Sequence, residues 1–372
     1  MTSAGHPILQ FGTSRFLQAH VDLFVGEGDD ALGGITVVQG TDNPASTRRA
    51  QALADGYEVH IRGLVDGQPV DVRKTCRSVR EVLHARSDWA GLRERVRGPV
   101  RVIVSNTGDS GWALAAADDA TLLADDAPAP TAFVARLLVL LHDRWQAQPA
   151  KDLTLLPCEL VSRNGDTLRE RVAALAADWR CAPAFIDWLR DQVVWANSLV
   201  DRIVSEPLEP AGAVAEPYAL WAIEVQPGLQ LPCRHPAIVL TDDLARHERL
   251  KLYLLNLGHT LLAELWRHGA LPADMTVLQA MQDERLRQPL EQAWQHEVLP
   301  VFDALGQGGE ARAYLAVLRD RLLNPYLAHR LSDIAQNHAQ KKVRRLQPVV
   351  ELAEQHAPGL AQPLLRAALI DH

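Results

Sequence analysis

Cysteine is scarce and scattered in this chain: Cys76, Cys158, Cys181 and Cys233 stand alone, with no Cys-x-x-Cys pair. That spacing argues against a zinc knuckle or a disulfide framework and fits reduced thiols in a cytoplasm. Positive charge is also short. Lys and Arg number 38 against 46 Asp and Glu, a formal net charge of -8. The basic surface that nucleic acid or an anionic membrane demands is therefore not expected. No apolar run approaches the ~18 residues of a membrane span. Residues 1–7 lack a basic stretch followed by an apolar one, so no secretory signal is expected.

What is present is ordinary for a globular enzyme with a large core: 372 residues, 47% hydrophobic and 23% charged, long enough for two domains. Residues 7–11 (PILQF) predict a buried strand, the small residues at 12–14 a turn, and 15–26 a helix. Strand-like runs recur at 35–39, 57–62, 68–75, 99–105 and 152–157, with a helical stretch at 131–146. Such alternation predicts a mostly parallel sheet with helices on both faces. The 57–75 segment, with its Asp66-Gly67 turn, reads as an inserted antiparallel hairpin. Further strands are expected at 199–204 and 218–225. From 241 the pattern turns helical, over 241–268, 276–305, 310–323, 325–337 and 343–355. The expectation is an α/β, doubly wound domain over 1–240 and a mainly α-helical domain over 241–372. Pro and Gly at 207–212 and 227–232 mark loops near the junction.

The first strand-turn-helix unit reads Phe11-Gly12-Thr13-Ser14-Arg15-Phe16-Leu17. A dinucleotide turn needs small residues where the pyrophosphate approaches. Gly12 fits, Ser14 is small, and Leu17 departs from the glycine pattern, so on this turn alone an ordinary strand-helix turn is the stronger reading. The second strand ends at Gln39 with no acid at its tip. Asp42 follows, then Arg48 and Arg49. An Asp here would grip a ribose diol and an Arg a 2′-phosphate, while Arg48 and Arg49 also read as solvated helix residues. NAD against NADP stays open on these residues. Ser105-Asn106-Thr107-Gly108-Asp109 follows the 99–105 strand, either a ligand-binding edge or a plain turn.

The segment from Glu248 to Thr260 is strongly apolar yet interrupted by polar residues at particular spacings. At about 100° per residue, with Lys251 at zero, Glu248 falls near about 60°, His259 near about 80° and Asn256 near about 140° on an α-helix. All four share one side. Gly258 in mid-helix costs about 1 kcal/mol relative to Ala, which room for a ligand or backbone would repay. Singly, Glu248 with Lys251 reads as a surface pair, and Asn256 and His259 as satisfied core groups. Together they read as a site. A desolvated lysine serves as general acid-base, an Asn amide supports a developing alkoxide, and His orients a hydroxyl, without a metal. Upstream, Asn164 follows Leu156-Pro157-Cys158-Glu159-Leu160 and reads equally as a helix cap or turn residue. Asp201, beside Arg202, is a structural ion pair or part of the site.

These residues resemble the polyol-specific long-chain dehydrogenase family, which includes mannitol dehydrogenases and tagaturonate and fructuronate reductases. The resemblance rests on Lys251-x4-Asn256-x2-His259, Val200-Asp201-Arg202-Ile203, Cys158-Glu159-Leu160 with Asn164-Gly165, and Phe11-Gly12-x-Ser14-x-Phe16. It extends to Ser105-Asn106-Thr107, Glu216-Pro217-Tyr218, and Asn324-Pro325-Tyr326 with His329, Asp333 and Ile334. The Cys-Glu-Leu and Ser-Asn-Thr forms are nearer tagaturonate reductase (altronate oxidoreductase) than mannitol dehydrogenase. The family implies a Rossmann domain followed by a helical domain, with the active site between them. By that resemblance Lys251 is the general acid-base, Asn256 and Asn164 polarise the carbonyl, His259 positions substrate and Glu248 gates a proton path. The 11–16 turn, Gln39 and Ser105-Asn106-Thr107 would hold the cofactor, NAD with NADP open. Asp201 and Lys341 would meet the substrate. Lys342 shares the carboxylate-holding role with Lys341, unless both are surface lysines.

The implied reaction is hydride transfer between NAD(H) and a secondary alcohol or ketone of an open-chain sugar acid. A mannitol-type polyol or polyol-phosphate dehydrogenase is the alternative, and a cofactor-binding regulator without catalysis a more distant one. The expected partner is a small sugar acid or polyol, with no nucleic acid and no membrane, in a cytoplasmic monomer or homodimer.

Overall fold

Apolar runs too short for helices, bounded by Gly and Pro, become the strands of the first sheet. In the computed structural model, which describes residues 6–40, 44–108, 111–269 and 271–370, these are β1 (Ile8–Phe11) and β2 (Ile35–Gln39). The hairpin β3 (Tyr57–Val65) and β4 (Gln68–Cys76) follows, then β5 (Val79–His84), β6 (Val102–Ser105), β7 (Thr154–Pro157) and β8 (Val194–Trp195). One six-stranded sheet has the order β5-β2-β1-β6-β7-β8, every neighbour parallel. Counting only its own strands, that is the 3-2-1-4-5-6 order of the doubly wound dinucleotide fold. β1, β2, β6 and β7 are buried at every residue, as parallel strands covered on both faces must be. Leucines 137, 138, 140 and 141 of the helix Phe133–Ala147 share one buried core cluster with Leu9, Ile103 and Leu155.

Several elements differ from the expectations. β5 was missed because Arg80 and Glu81 interrupt its apolar pattern. The run expected at 199–204 is two strands, β9 (Ser198–Asp201) and β10 (Val204–Pro207). The break falls at Arg202, whose guanidinium donates to the Ala19 carbonyl at 2.6 Å. With β11 (Gly212–Ala215), β12 (Leu220–Glu224) and β13 (Ile238–Thr241), the remaining strands form sheets ordered β10-β11-β3-β4 and β13-β12-β9. The helix expected at 15–26 is two pieces, Arg15–Gln18 and Val21–Glu27. Between them His20 leaves helical geometry and packs its ring between Phe16 and Phe24.

The chain divides into two compact units. The first holds Met1–His60, Arg73–Ala215 and Ala219–Leu244; the second holds Ile61–Val72, Glu216–Tyr218 and Ala245–His372. The turn side of the β3–β4 hairpin thus counts with the helices. In the second unit Arg321 pairs with Glu216 through two bonds of 2.9 Å, both side chains buried. Asn324 donates to the Arg62 carbonyl at 3.1 Å and accepts from the Tyr326 amide at 3.0 Å. Those bonds and Pro325 explain why the helix expected over 325–337 shrinks to Leu331–Ile334. The segment expected at 343–355 begins earlier, as His338–Arg345, and restarts with Pro348 in the first turn of Gln347–His356. No helix among the described residues is long and apolar enough to cross a membrane.

Candidate active site

At the carboxyl end of β1 the chain turns through Gly12 at φ +118, where a Cβ would sit 2.6 Å from the Asn106 carbonyl oxygen. Only glycine fits there. Ser14 caps the following helical turn, accepting from the Leu17 amide at 3.2 Å, and donates to Asn106 Oδ1 at 3.2 Å. Thr13 is held through its carbonyl by Gln18 Nε2 at 3.0 Å. Arg15 is exposed and reaches the Ser205 carbonyl at 3.4 Å, while Phe16 stacks on His20. The turn is thus tied to β6, as a cradle for a pyrophosphate must be.

Ser105 ends β6, and it and Thr107 bind Glu159, the residue after Cys158. Ser105 Oγ donates to Oε2 at 3.0 Å, and the Thr107 amide and hydroxyl both donate to Oε1 at 3.0 Å. Asn106 donates to the Cys158 carbonyl at 2.9 Å. Glu159 therefore staples the ends of β6 and β7 at the edge where ligands bind in such sheets. Sequence reasoning gave it no role of its own; its signals were its place in the Cys158-Glu159-Leu160 motif and a carboxylate just past a buried strand. Gln39 is buried at the tip of β2. It opens a cleft of about 580 Å³ walled also by Thr47, Gln51, His84, Arg86 and Asp88. Arg48 and Arg49 are not among its walls, which favours the solvated-helix reading for them. Asp42 and Asp109 lie outside the described residues.

Asn164 opens the helix Asn164–Asp178 with its side chain 1% exposed. Its amide nitrogen faces three carbonyls, of Pro157 at 2.9 Å, Ser198 at 3.0 Å and Glu159 at 3.1 Å. Its oxygen accepts from the amides of Gly165 at 3.0 Å and Ser198 at 2.8 Å. An amide has two hydrogens, so none remains for a substrate carbonyl. Asn164 locks backbone to backbone. Asp201 ends β9, buried at 5% exposure.

In the second unit the helix carrying Lys251 is not uniformly α. Leu244–Leu250 is α-helical, Lys251–Asn256 is a π-helical turn, and Leu257–His268 is α-helical again. The Leu257 amide bonds the Leu252 carbonyl five residues back. An i→i+5 repeat has more residues per turn than an α-helix, which narrows the wide angle between Lys251 and Asn256 that uniform α-geometry predicts. Among the described residues the Asn256 side-chain amide has no hydrogen-bond partner. Its donors are available, unlike those of Asn164. His259 is 6% exposed, and its ring stands edge-on to His329 with centroids 4.9 Å apart. Glu248 lies in the α-helical turn before Lys251.

Gly258 has a different reason from the one expected. A Cβ there would fall 2.5 Å from Cζ2 of Trp294, so an indole and not a ligand makes the close approach. Trp294 opens a second π-turn, Trp294–Val298, and donates its indole N–H to the Leu254 carbonyl at 3.3 Å.

Lys341 and Lys342 separate. Lys342 is buried and donates to Glu264 at 3.3 Å, within a carboxylate site shared with His338 at 2.6 Å and His268 at 3.2 Å. Its ammonium is engaged by a buried carboxylate. Lys341 is half-buried and donates to the Ile334 carbonyl at 2.7 Å. Burial, and then the charge of Arg345, pull its ammonium below the usual lysine range. Burial lowers His329 as well, with Lys341 adding to the fall and Asp333 opposing it. Arg345, which sequence reasoning passed over, donates to the Asn256 carbonyl at 3.4 Å and the Thr260 hydroxyl at 3.1 Å. The signal was its place four residues after Lys341 on a helix.

Residues 6–231 match the mannitol dehydrogenase Rossmann domain and residues 243–369 the mannitol dehydrogenase C-terminal domain. The chain belongs to the mannitol dehydrogenase family. It is an oxidoreductase acting on CH–OH groups. Altronate oxidoreductase of Klebsiella pneumoniae is 32% identical over 97% of this chain and 78% of its own length. The Halalkalibacterium halodurans altronate oxidoreductase is 30% identical, over 92% and 69%. In fold the chain is similar to a substrate-free D-sorbitol dehydrogenase, TM-score 0.79 at 18% identity, over 98% of this chain and 79% of that one. It is likewise similar to Pseudomonas fluorescens mannitol 2-dehydrogenase in ternary complex with NAD and D-mannitol. There the TM-score is 0.73 at 18% identity, over 98% and 78%.

Proposed function

We propose that this enzyme interconverts a secondary alcohol and the corresponding ketone of an open-chain sugar acid of the altronate–tagaturonate type, with NAD as cofactor and Lys251 as general acid-base. The observation that carries the reading is the π-turn. Its wider pitch supports bringing Lys251 and the uncommitted Asn256 amide toward one side of the helix, one turn before the buried His259. In the reducing direction Lys251 Nζ gives a proton to the carbonyl oxygen while the Asn256 amide donates to the developing alkoxide. His259, fixed against His329, orients a neighbouring hydroxyl. Glu248 relays the proton that Lys251 exchanges with solvent, and Asp201 accepts from a substrate hydroxyl. Lys341 meets the carboxylate. Asn164 acts as a positioning residue, since its hydrogens are held by backbone.

The nicotinamide supplies the hydride chemistry. The residues that would hold the dinucleotide are the Gly12–Phe16 turn at the pyrophosphate, Gln39 toward the adenosine, and Ser105, Asn106 and Thr107 toward the nicotinamide end. The fit is supported by the glycine-only approach of Gly12 to Asn106 and by the cleft beyond β2. Arg86 in that cleft makes a comparison with NADP part of the test. The test is an absorbance screen for reduced nicotinamide, with both cofactors, against aldonates, ketouronates, polyols and polyol phosphates. Turnover confined to sugar acids supports the reading; no turnover on any of them overturns it.

A further inference from the structure

We propose that Lys341 and Arg345 together form a carboxylate-recognition pair that selects sugar acids over neutral polyols. The proposal rests on the functional reading above and deepens it, because it assigns discrimination to a cation that no motif marked.

The two residues sit four apart on the helix His338–Arg345, hence on adjacent turns of one face. Both are half-buried. Each is held from behind by neutral acceptors: Lys341 by the Ile334 carbonyl, Arg345 by the Asn256 carbonyl and the Thr260 hydroxyl. Among the described residues neither forms an ion pair with a carboxylate. By contrast, Arg93 pairs with Asp143, Arg321 with Glu216 and the adjacent Lys342 with Glu264. Like charges one turn apart repel, and partial burial removes the water that would soften the repulsion. An anion arriving between them relieves both costs.

The location gives the anion its meaning. Arg345 touches the backbone of Asn256, whose side chain serves the alkoxide. Lys341 acts electrostatically on His329, which lies against His259. The positive field therefore borders the polar stripe of the Lys251 helix. A planar guanidinium held by one nitrogen keeps donors for a second, forked partner, and carboxylate is the anion whose geometry matches that fork. A neutral polyol can accept hydrogen bonds from either cation but forms no ion pair with them, so the carboxylate gains more. Asp333, the carboxylate that faces His329, is exposed and does not pair with Lys341 or Arg345.

The experiment compares the full-length wild type with Arg345→Gln, Arg345→Lys and Lys341→Met. The substrates are an aldonate and the alditol of the same configuration, with KM and kcat measured for each. Calorimetry of aldonate binding in the presence of oxidised cofactor accompanies the kinetics. The ratio of kcat/KM for aldonate over alditol is expected to fall on the order of 10- to 100-fold in Arg345→Gln and Lys341→Met, mostly through KM. Arg345→Lys should recover part of it. An unchanged ratio, an equal loss on both substrates, or a wild type that prefers the alditol overturns the proposal. If the wild type turns over no sugar acid, the functional reading fails by itself. Calorimetry then decides the pair: aldonate binding lost in Arg345→Gln supports it, and no binding by the wild type overturns it.

Discussion

The Trp294 indole lies where a side chain at Gly258 would be, and its N–H donates to the Leu254 carbonyl inside the π-turn that Lys251 opens. Two helices are thereby joined at their irregular turns, Lys251–Asn256 and Trp294–Val298. π-turns recur at functional sites because one inserted residue re-aims side chains without breaking the helix.

Gly258→Ala forces a methyl into that indole. Overpacking of this kind is expected to cost about 1–3 kcal/mol, read from urea unfolding. Trp294→Phe keeps most of the ring and removes the donor, so it should lose about 0.5–1.5 kcal/mol. A Gly258→Ala protein as stable as the wild type would contradict the packing argument.

Adjacent lysines should behave oppositely. Lys342→Met leaves Glu264 short of a buried cation and is expected to cost about 3 kcal/mol, lowering the thermal midpoint. Lys341→Met removes no ion pair, so its midpoint should stay near that of the wild type while aldonate affinity falls. Equal midpoints for the two variants would show that Lys342 is not structural.

Much of this was legible in the sequence. The parallel sheet followed from short buried runs such as 35–39, whose expected and observed bounds coincide, and the Lys251, Asn256 and His259 spacing marked the helix. The rest depends on long-range partners. Nothing local shows that Trp294 reaches Gly258, that Glu159 will bind Ser105 and Thr107, or that Asn164 will face the carbonyls of Pro157, Glu159 and Ser198. The π-turn escaped because periodicity analysis presumes one helical pitch. Lys341 and Lys342 look alike in sequence, and only Glu264, 78 residues away from Lys342, tells them apart.

Asp22 makes stability depend on pH. Burial pushes its carboxyl up to about 7, with Tyr57 and Gln10 opposing that rise. An unfolded chain releases the proton near about pH 4. The folded state thus holds a proton that the unfolded state has lost, and the group's stabilising contribution, full below about pH 4, disappears as pH rises to about 7. Asp22→Asn should flatten that part of the stability profile and exceed the wild type at about pH 8. An unchanged slope in the variant would place the titrating group elsewhere.

Gly12→Ala puts a Cβ against the Asn106 carbonyl in backbone geometry that Ala resists. Dinucleotide affinity, measured by fluorescence titration, should weaken roughly 10-fold or more. Unaltered binding would remove this turn from the cofactor site.

The role of Lys251 is the centre of the account, and the pH profile of Lys251→Ala tests it most directly. With the preferred sugar acid and cofactor, kcat should fall about 10²- to 10⁴-fold, the wild-type pH dependence should vanish, and small primary amines should restore part of the rate. A Lys251→Ala enzyme that keeps the wild-type rate and pH profile would contradict it.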